Sequence, residues 1–268
     1  MAIAQLVGPA PIVDQIAQAQ RAARRDFLWK FALTWAIIIA ALGLVIYATG
    51  NADPAFTLEW GPFILGGVGI TMLVCVASIT LATILAVIGA LGRLSPNPYL
   101  NGIASLYVSL VRGTPLIVQI YFIFFALPLL GVVLDPIPAG ILALSFNYGA
   151  YMTEIFRAGI QAVPKGQREA AQALGMPDGL IMRRVVLPQA VRIVVPAIGN
   201  DFVSMIKDSS LVSLLGLQEL LWRANTVGRS NQQIIQALLI AALVYWALTI
   251  VFSYFQARLE KRLAKGDR

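Results

Sequence analysis

Long stretches of the chain carry no charge. Residues 31–49, 60–92, 94–111, 113–134, 136–153 and 230–257 are each free of Asp, Glu, Lys and Arg. The apolar core of a bilayer takes about 20 residues of α-helix, and backbone polar groups in lipid must be satisfied within the segment. The runs are too long and unbroken for the alternating pattern of barrel strands. Six helical crossings are therefore expected, near 28–49, 63–91, 103–127, 137–160, 189–206 and 234–256. The fifth would not be drawn from periodicity alone, because it holds Arg192, Pro196 and Asp201. After it, Leu214, Leu215, Leu217, Leu220 and Leu221 fit a partly embedded helix.

Composition agrees: hydrophobic residues make up 59% of the 268 residues and charged residues 12%, about half the usual charged share. The formal charge of +7 reports loop asymmetry rather than a nucleic-acid partner. With both termini cytoplasmic, the inner segments hold 16 of the 20 basic residues. The outer loops at 50–62 and 128–136 then hold none, and carry Asp53, Glu59 and Asp135. There is no His and only one Cys, Cys75, so His-dependent catalysis, His-ligated metal, multi-Cys metal sites and internal disulfides are all excluded. The N-terminal apolar run starts near residue 28 behind a basic segment, with no small-residue cleavage pattern after it, and is expected to stay as an anchor. Residues 1–20 read as a mobile or surface-lying tail.

The longest inner connection, 162–188, is too polar to cross lipid. Pro164 favours a helix start over 167–174, and Gly175 with Pro177 favours a stop. A second short helix is expected over 178–186, capped by Asp178 and ending before Pro188. Ala170, Ala171 and Ala173 would give a smooth face for another protein, although a plain connector fits the same pattern.

The spacing Glu169-Ala170-Ala171, Gly175, Val185, Leu187-Pro188 resembles the EAA signature of ABC importer membrane subunits, with Val185 where the usual pattern has Ile. Arg112-Gly113-Thr114-Pro115-Leu116 with Gln119 resembles the polar amino-acid branch, the histidine/glutamine/arginine-type permeases. So do Tyr151 with Glu154, Arg157, Pro164, Lys165, Gly166 and Gln167, and Asn200 with Lys207, Asp208, Ser209, Ser210 and Leu211. The resemblance implies an all-α, MetI-like five-helix core over 63–262 holding the 162–188 coupling loop. An extra N-terminal helix and outer loop at 28–62 would precede it. Cytoplasmic tails would lie at 1–27 and 263–268.

It further implies a transport subunit with no cofactor of its own, in a prokaryotic inner membrane. Two separate ATPase subunits would use ATP and Mg. A second permease, identical or paralogous, and an extracytoplasmic binding protein would complete the importer. The chain itself has no G-x-x-x-x-G-K-[ST] phosphate loop.

Polar residues within crossings are expensive and are functional candidates. Arg112 is expected about nine residues into its crossing, about 14 Å deep. Gly113, Thr114 and Pro115 should loosen the helix there and free backbone groups that can hold a polar cargo. Glu154 and Arg157 share a helix face, as an ion pair or as contacts to the substrate's ends. Asn200 and Asp201 fall near mid-membrane, either bonding between helices or facing the cargo. Lys207 to Ser210 is a gate hinge or a hydrated helix end. Gln119, Asn147 and Tyr151 could line the same cavity or pack between helices. A zwitterionic amino acid would find a donor in Arg112 or the broken helix end, and an acceptor in Glu154 or Asp201. Two other readings remain: a secondary transporter without an ATPase, and an intramembrane hydrolase, for which Glu154 and Asp201 are the only deep acids identified.

Overall fold

A computed structural model describes residues 10–48 and 53–263, and no β-strand occurs among them. The chain divides at Pro54 into two compact units. The first contains α1, Ala10–Ala48, a 39-residue helix about 58 Å long. It continues N-terminally well past the expected start at residue 28, so residues 10–27 of the expected tail are helical. Lys30 and Asp26 pair on it at 2.7 Å. Residues 1–9 of the expected tail, 49 at the end of the expected first crossing, 50–52 of the expected outer loop and 264–268 at the C-terminus lie outside the described residues.

The second unit opens with α2, Pro54–Leu65, and α3, Gly67–Leu94, which together form one apolar segment. Most of the expected outer loop at 50–62 is therefore helix. Then come α4, Pro98–Arg112, and α5, Leu116–Ala126, which runs into a 3-10 turn, Leu127–Leu130. Next is α6, Pro136–Gln161, within a residue of expectation at each end. The polar loop supplies α7, Lys165–Ala173, and α8, Asp178–Ile181. Beyond it lie α9, Leu187–Asp208, a 3-10 turn at Ser209–Leu215, α10, Leu220–Ser230, and α11, Ile234–Leu263. The leucine-rich stretch expected as one embedded helix is thus split, with Gly216 at φ +81° ending the 3-10 turn before α10 begins.

Among the described residues, three segments are long and apolar enough to cross a membrane, at Ile16–Val45, Pro54–Leu94 and Ile234–Leu263. The α4–α5 pair makes a fourth if its two arms count as one span. The 26-residue α6 and the 22-residue α9 have the length but more polar sequences. For α6 the reason is its central position: Ala139, Ala143, Leu144, Asn147, Tyr148, Ala150 and Met152 are all buried. A helix surrounded by protein need not be apolar all round.

Small residues set the α3–α6 seam. Ala82 and Ala86 of α3 and Ala139 and Ala143 of α6 are all buried in the main core cluster. The Ser145 hydroxyl donates to the Ser78 carbonyl at 3.2 Å. A Cβ on Gly89 would come within 2.3 Å of the Thr153 hydroxyl oxygen, so only glycine permits this approach. Close backbone contact of this kind holds helices together where lipid removes the hydrophobic drive between them.

The loop differs from expectation in its second half. Gly175 has φ +74° and ends α7 as anticipated. Its N–H donates to the Gln172 carbonyl at 2.9 Å, and the Met176 N–H to the Ala171 carbonyl at 3.1 Å, which is a Schellman turn. The chain does not break before Pro188, however. A π-helical turn at Met182–Val186 joins α8 directly to α9. The wider turn, with the Leu187 N–H bonded to the Met182 carbonyl, makes room for a proline ring that would clash with an α-helical carbonyl. Helix therefore runs unbroken from the loop into the membrane segment.

Candidate functional site

The expected third crossing is not one helix. The axes of α4 and of α5 with its 3-10 extension differ by 109° across residues 113–115. Pro115 is extended at φ −63°, ψ 138° and lacks an N–H, which stops helix propagation. Gly113 itself is ordinary right-handed helix, so its role is not an unusual φ. A Cβ there would meet the Ser109 carbonyl at 2.9 Å. Arg112 is accordingly the exposed last residue of α4, at the corner, rather than a charge nine residues down a straight span. Its guanidinium lies over the Tyr151 ring, 5.3 Å from the centroid, a cation–π geometry.

The break is braced from behind. Gln119 is buried. Its amide nitrogen donates to the Val111 carbonyl at 2.7 Å, the Thr114 carbonyl at 3.1 Å and the Thr114 hydroxyl at 2.9 Å. Its amide oxygen accepts from Asn147 Nδ2 at 3.0 Å. Gln119 thus holds the corner and ties it to α6.

In front of the corner is a cavity of about 320 Å³, lined by Thr114, Pro115, Leu116, Asn147, Tyr148, Tyr151, Asp201, Ser204 and Asp208. One wall is the N-terminus of α5, where the Leu116 and Ile117 N–H groups have no intrahelical partner and the helix dipole favours negative charge. Another part of the lining is α9. There the Asp201 Oδ2 atom is buried without a hydrogen-bond partner. Asp208 accepts from the buried Tyr148 hydroxyl at 2.7 Å. The lining thus combines a helix N-terminus with two carboxylates, groups of the kind that can hold a molecule bearing both charges.

Of the expected site residues, Thr114, Asn147, Tyr151 and Asp201 line this cavity, with Arg112, Gly113 and Gln119 forming its corner. Glu154 and Arg157 do not line it. Glu154 accepts from Arg93 Nε at 3.1 Å and from Arg157 Nη2 at 2.7 Å, and Arg93 also donates to Ser105. The group is a polar network joining the C-terminal ends of α3 and α6 to the middle of α4. Asn200 and Lys207 are exposed and do not line the cavity.

Three polar lining residues were not picked out as binding groups from the sequence: Tyr148, Ser204 and Asp208. Positions 201, 204 and 208 follow i, i+3, i+7 spacing and so share one helix face, a signal available once the helix is drawn. Glu154 and Asp201 are also not the only deep acids. Glu219 is fully buried, caps α10 by accepting from the Trp222 N–H at 2.7 Å, and accepts from the Tyr245 hydroxyl at 2.5 Å.

The motif residues divide between two roles. Ala171 is buried with Ile160, Val163, Ile181, Val186 and Ala190 in a small core under the loop, against which Val185 packs. The Arg168 guanidinium donates to the Ile160 carbonyl at 3.1 Å. Glu169, Ala170, Ala173 and Leu174 are exposed. Ala171 therefore belongs to the loop's own packing and not to one smooth face with Ala170 and Ala173. Gly175 sets the corner, while Leu187 and Pro188, both exposed, follow the π-turn.

Residues 78–265 match the family model described as binding-protein-dependent transport system inner membrane component. The chain belongs to this family. It is a transport permease subunit of the amino-acid ABC type, not an enzyme. It is 38% identical over 218 residues to the arginine transport system permease protein ArtQ of Bacillus subtilis, covering 81% of this chain and 100% of that one. It is 42% identical to the L-cystine transport system permease protein TcyB of the same organism, covering 75% and 87%. Among solved structures, an amino acid ABC transporter with histidines aligns at TM-score 0.75 and 34% identity, over 79% of this chain and 99% of that one. The MetNI methionine ABC transporter, in an inward facing conformation, aligns at TM-score 0.58 and 17% identity over 78% and 97%, which shows the same fold. The MetI-like expectation thus holds for the permease core.

Proposed function

We propose that the chain is the membrane half of an importer that moves a polar amino acid, and that the cavity at the α4–α5 corner is where the cargo passes. The observation that carries this reading is the presence, in the lining of one small cavity, of a helix N-terminus and of half-buried Asp201, whose Oδ2 atom is buried without a hydrogen-bond partner. A free amino acid carries one charge of each sign. Its carboxylate would lie at the α5 N-terminus beside Arg112, and its ammonium at Asp201. About 320 Å³ is at the small end of ligand sites and suits a single amino acid better than a peptide.

Six crossings with both termini cytoplasmic fit the charge distribution of the loops. In that arrangement the 162–188 loop faces a pair of ATPase subunits, which bind ATP and Mg and supply the work. A second permease, of this or a related chain, completes the path, and an extracytoplasmic binding protein delivers the cargo. The membrane is a prokaryotic inner membrane. The exposed strip of Glu169, Ala170 and Ala173, beside the bend at Gly175, is the surface offered to the ATPase.

The test is ATP-driven uptake into proteoliposomes holding the permease with its cognate ATPase and binding protein. Asp201→Asn is expected to lower uptake about tenfold or more, in line with removing a charge-assisted contact, while the complex still assembles. Unchanged uptake by Asp201→Asn, or uptake that needs no ATPase, would contradict the proposal.

A further inference from the structure

A second cavity, of about 550 Å³, runs between α3 and α4 and shares no lining residue with the first. Leu85, Tyr107 and Phe146 close its deep end. The Tyr107 and Phe146 ring centroids are 4.9 Å apart, and the Tyr107 hydroxyl is already engaged, donating to the Phe146 carbonyl at 2.7 Å. Ile88 and Ile103 form an open apolar rim, 62% and 71% exposed. At the other end lies Ser95, in the turn between the two helices. From Leu85 to Ser95 the groove follows α3 for about 15 Å, the length of roughly twelve extended carbons. The Ser95 end sits where the apolar segment Pro54–Leu94 gives way to a polar turn, and Arg93 is the charge that closes the uncharged run 60–92.

That end also carries charge. Arg93 stands between the lining residues Gly92 and Ser95. With Arg157 it shares the one carboxylate of Glu154, so this group of three has one positive charge left over. The Arg93 and Arg157 side chains are 27% and 28% exposed, and the charge is open to the surface. A trough for a single hydrocarbon chain with a net cation at its boundary end matches an amphiphile with an anionic head. The chain alone gives little preference, because lipid tails are as apolar as the groove; the head decides. We propose that this groove holds one acyl chain of an anionic phospholipid, with the phosphate at the Arg93–Ser95 end. The other half of α3 supplies the contrast. A groove of about 730 Å³ there, between Gly69 and Ile84, has no charged residue in its lining and offers a lipid head nothing to select on. The proposal goes beyond the transport reading and does not depend on the cargo cavity.

The experiment is photolabelling of the permease–ATPase complex in nanodiscs of equal parts phosphatidylglycerol and phosphatidylcholine. Each lipid is supplied in turn as a probe with a diazirine near the end of one acyl chain, and labelled peptides are read by mass spectrometry. The phosphatidylglycerol probe is expected to label residues 85–107 about fivefold more than the phosphatidylcholine probe. At residues 69–84 the two probes should agree to within about twofold. Ser95→Glu, which puts a carboxylate at the mouth of the groove, should cut the preference at 85–107 to about twofold or less, and Ser95→Lys should keep or raise it. Equal labelling of 85–107 by both probes, or a preference that survives Ser95→Glu, would overturn the proposal and leave ordinary boundary lipid. Absence of labelling at 85–107 by either probe would overturn it too, and a disulfide from Ile103→Cys to a second permease would then identify a protein contact in the lipid's place. If Ser95→Glu does not assemble, the wild-type ratio at 85–107 against that at 69–84 decides.

Discussion

Gln119 sits behind the broken helix with its amide nitrogen and oxygen both engaged. Replacing it with Leu would leave the Val111 carbonyl, an end of Asn147 and the Thr114 groups without this partner in a buried setting. The cost of such orphaned groups is about 1–3 kcal/mol. Gln119→Leu should therefore lower the thermal unfolding midpoint of the purified complex and weaken cargo binding, because the corner loosens. A midpoint and affinity equal to wild type would mean the brace is dispensable. Gln119 was legible in the sequence as a polar residue in an apolar run, but its bracing role was not, because the carbonyls it meets exist only once the helix has bent. The same holds for Glu154. Three-residue spacing to Arg157 gave the ion pair, but Arg93, 61 positions away, could not be placed from spacing. That partner is what takes Glu154 out of the candidate cargo site. Asp208 reads from the sequence as part of a possible gate, and the structure places it in the cavity lining with Asp201 and Ser204 on one face of α9.

At the scale of elements, the 162–188 loop would act as the proposed lever toward an ATPase if it is stiff. The α7 helix is clipped to the end of α6 through Arg168 and seated on a small core through Ala171. The helix then continues from α8 through the π-turn into α9, the helix that carries Asp201 and Asp208. Displacement of the loop would be carried to the carboxylate wall by continuous helix rather than across a flexible joint. Gly175 is the one sharp turn in this path, and its left-handed φ costs a side-chain-bearing residue about 1–2 kcal/mol. Gly175→Val should still insert in the membrane, with ATPase activity retained but uptake down about tenfold, read as the ratio of ATP hydrolysed to cargo moved. An unchanged ratio would mean the turn does not transmit force. The turn was legible because glycine followed by proline two residues later is a local signal. The π-turn was not legible, because proline at 188 reads as a break unless neighbouring packing holds the chain helical.

For the whole molecule, the charge asymmetry of the loops predicts which surfaces face the cytoplasm. Cys75 is buried, so cysteines introduced on the surface can be read against a silent background. In intact cells an impermeant thiol reagent should label Val133→Cys, between α5 and α6, and leave Leu174→Cys unlabelled. Inverted vesicles should give the reverse. Both native residues are 81% exposed, so failure to label reports the side of the membrane rather than burial. Labelling of Leu174→Cys from outside would overturn the orientation. Uncharged runs predict α3, α6 and α11 directly, α6 to within a residue at each end. The α9 helix is harder to draw because Arg192, Pro196 and Asp201 interrupt its run.

The most direct measurement joins the loop to its motor. Ala170→Cys, on the exposed face of α7, would be crosslinked to the cognate ATPase in the assembled complex, and ATP-driven uptake followed before and after reduction. A crosslinked product that stops uptake, with transport restored on reduction, is the expected result. No crosslink at Ala170 or at the neighbouring exposed Ala173→Cys, together with uptake that persists without the ATPase, would contradict an ABC importer subunit driven through this loop.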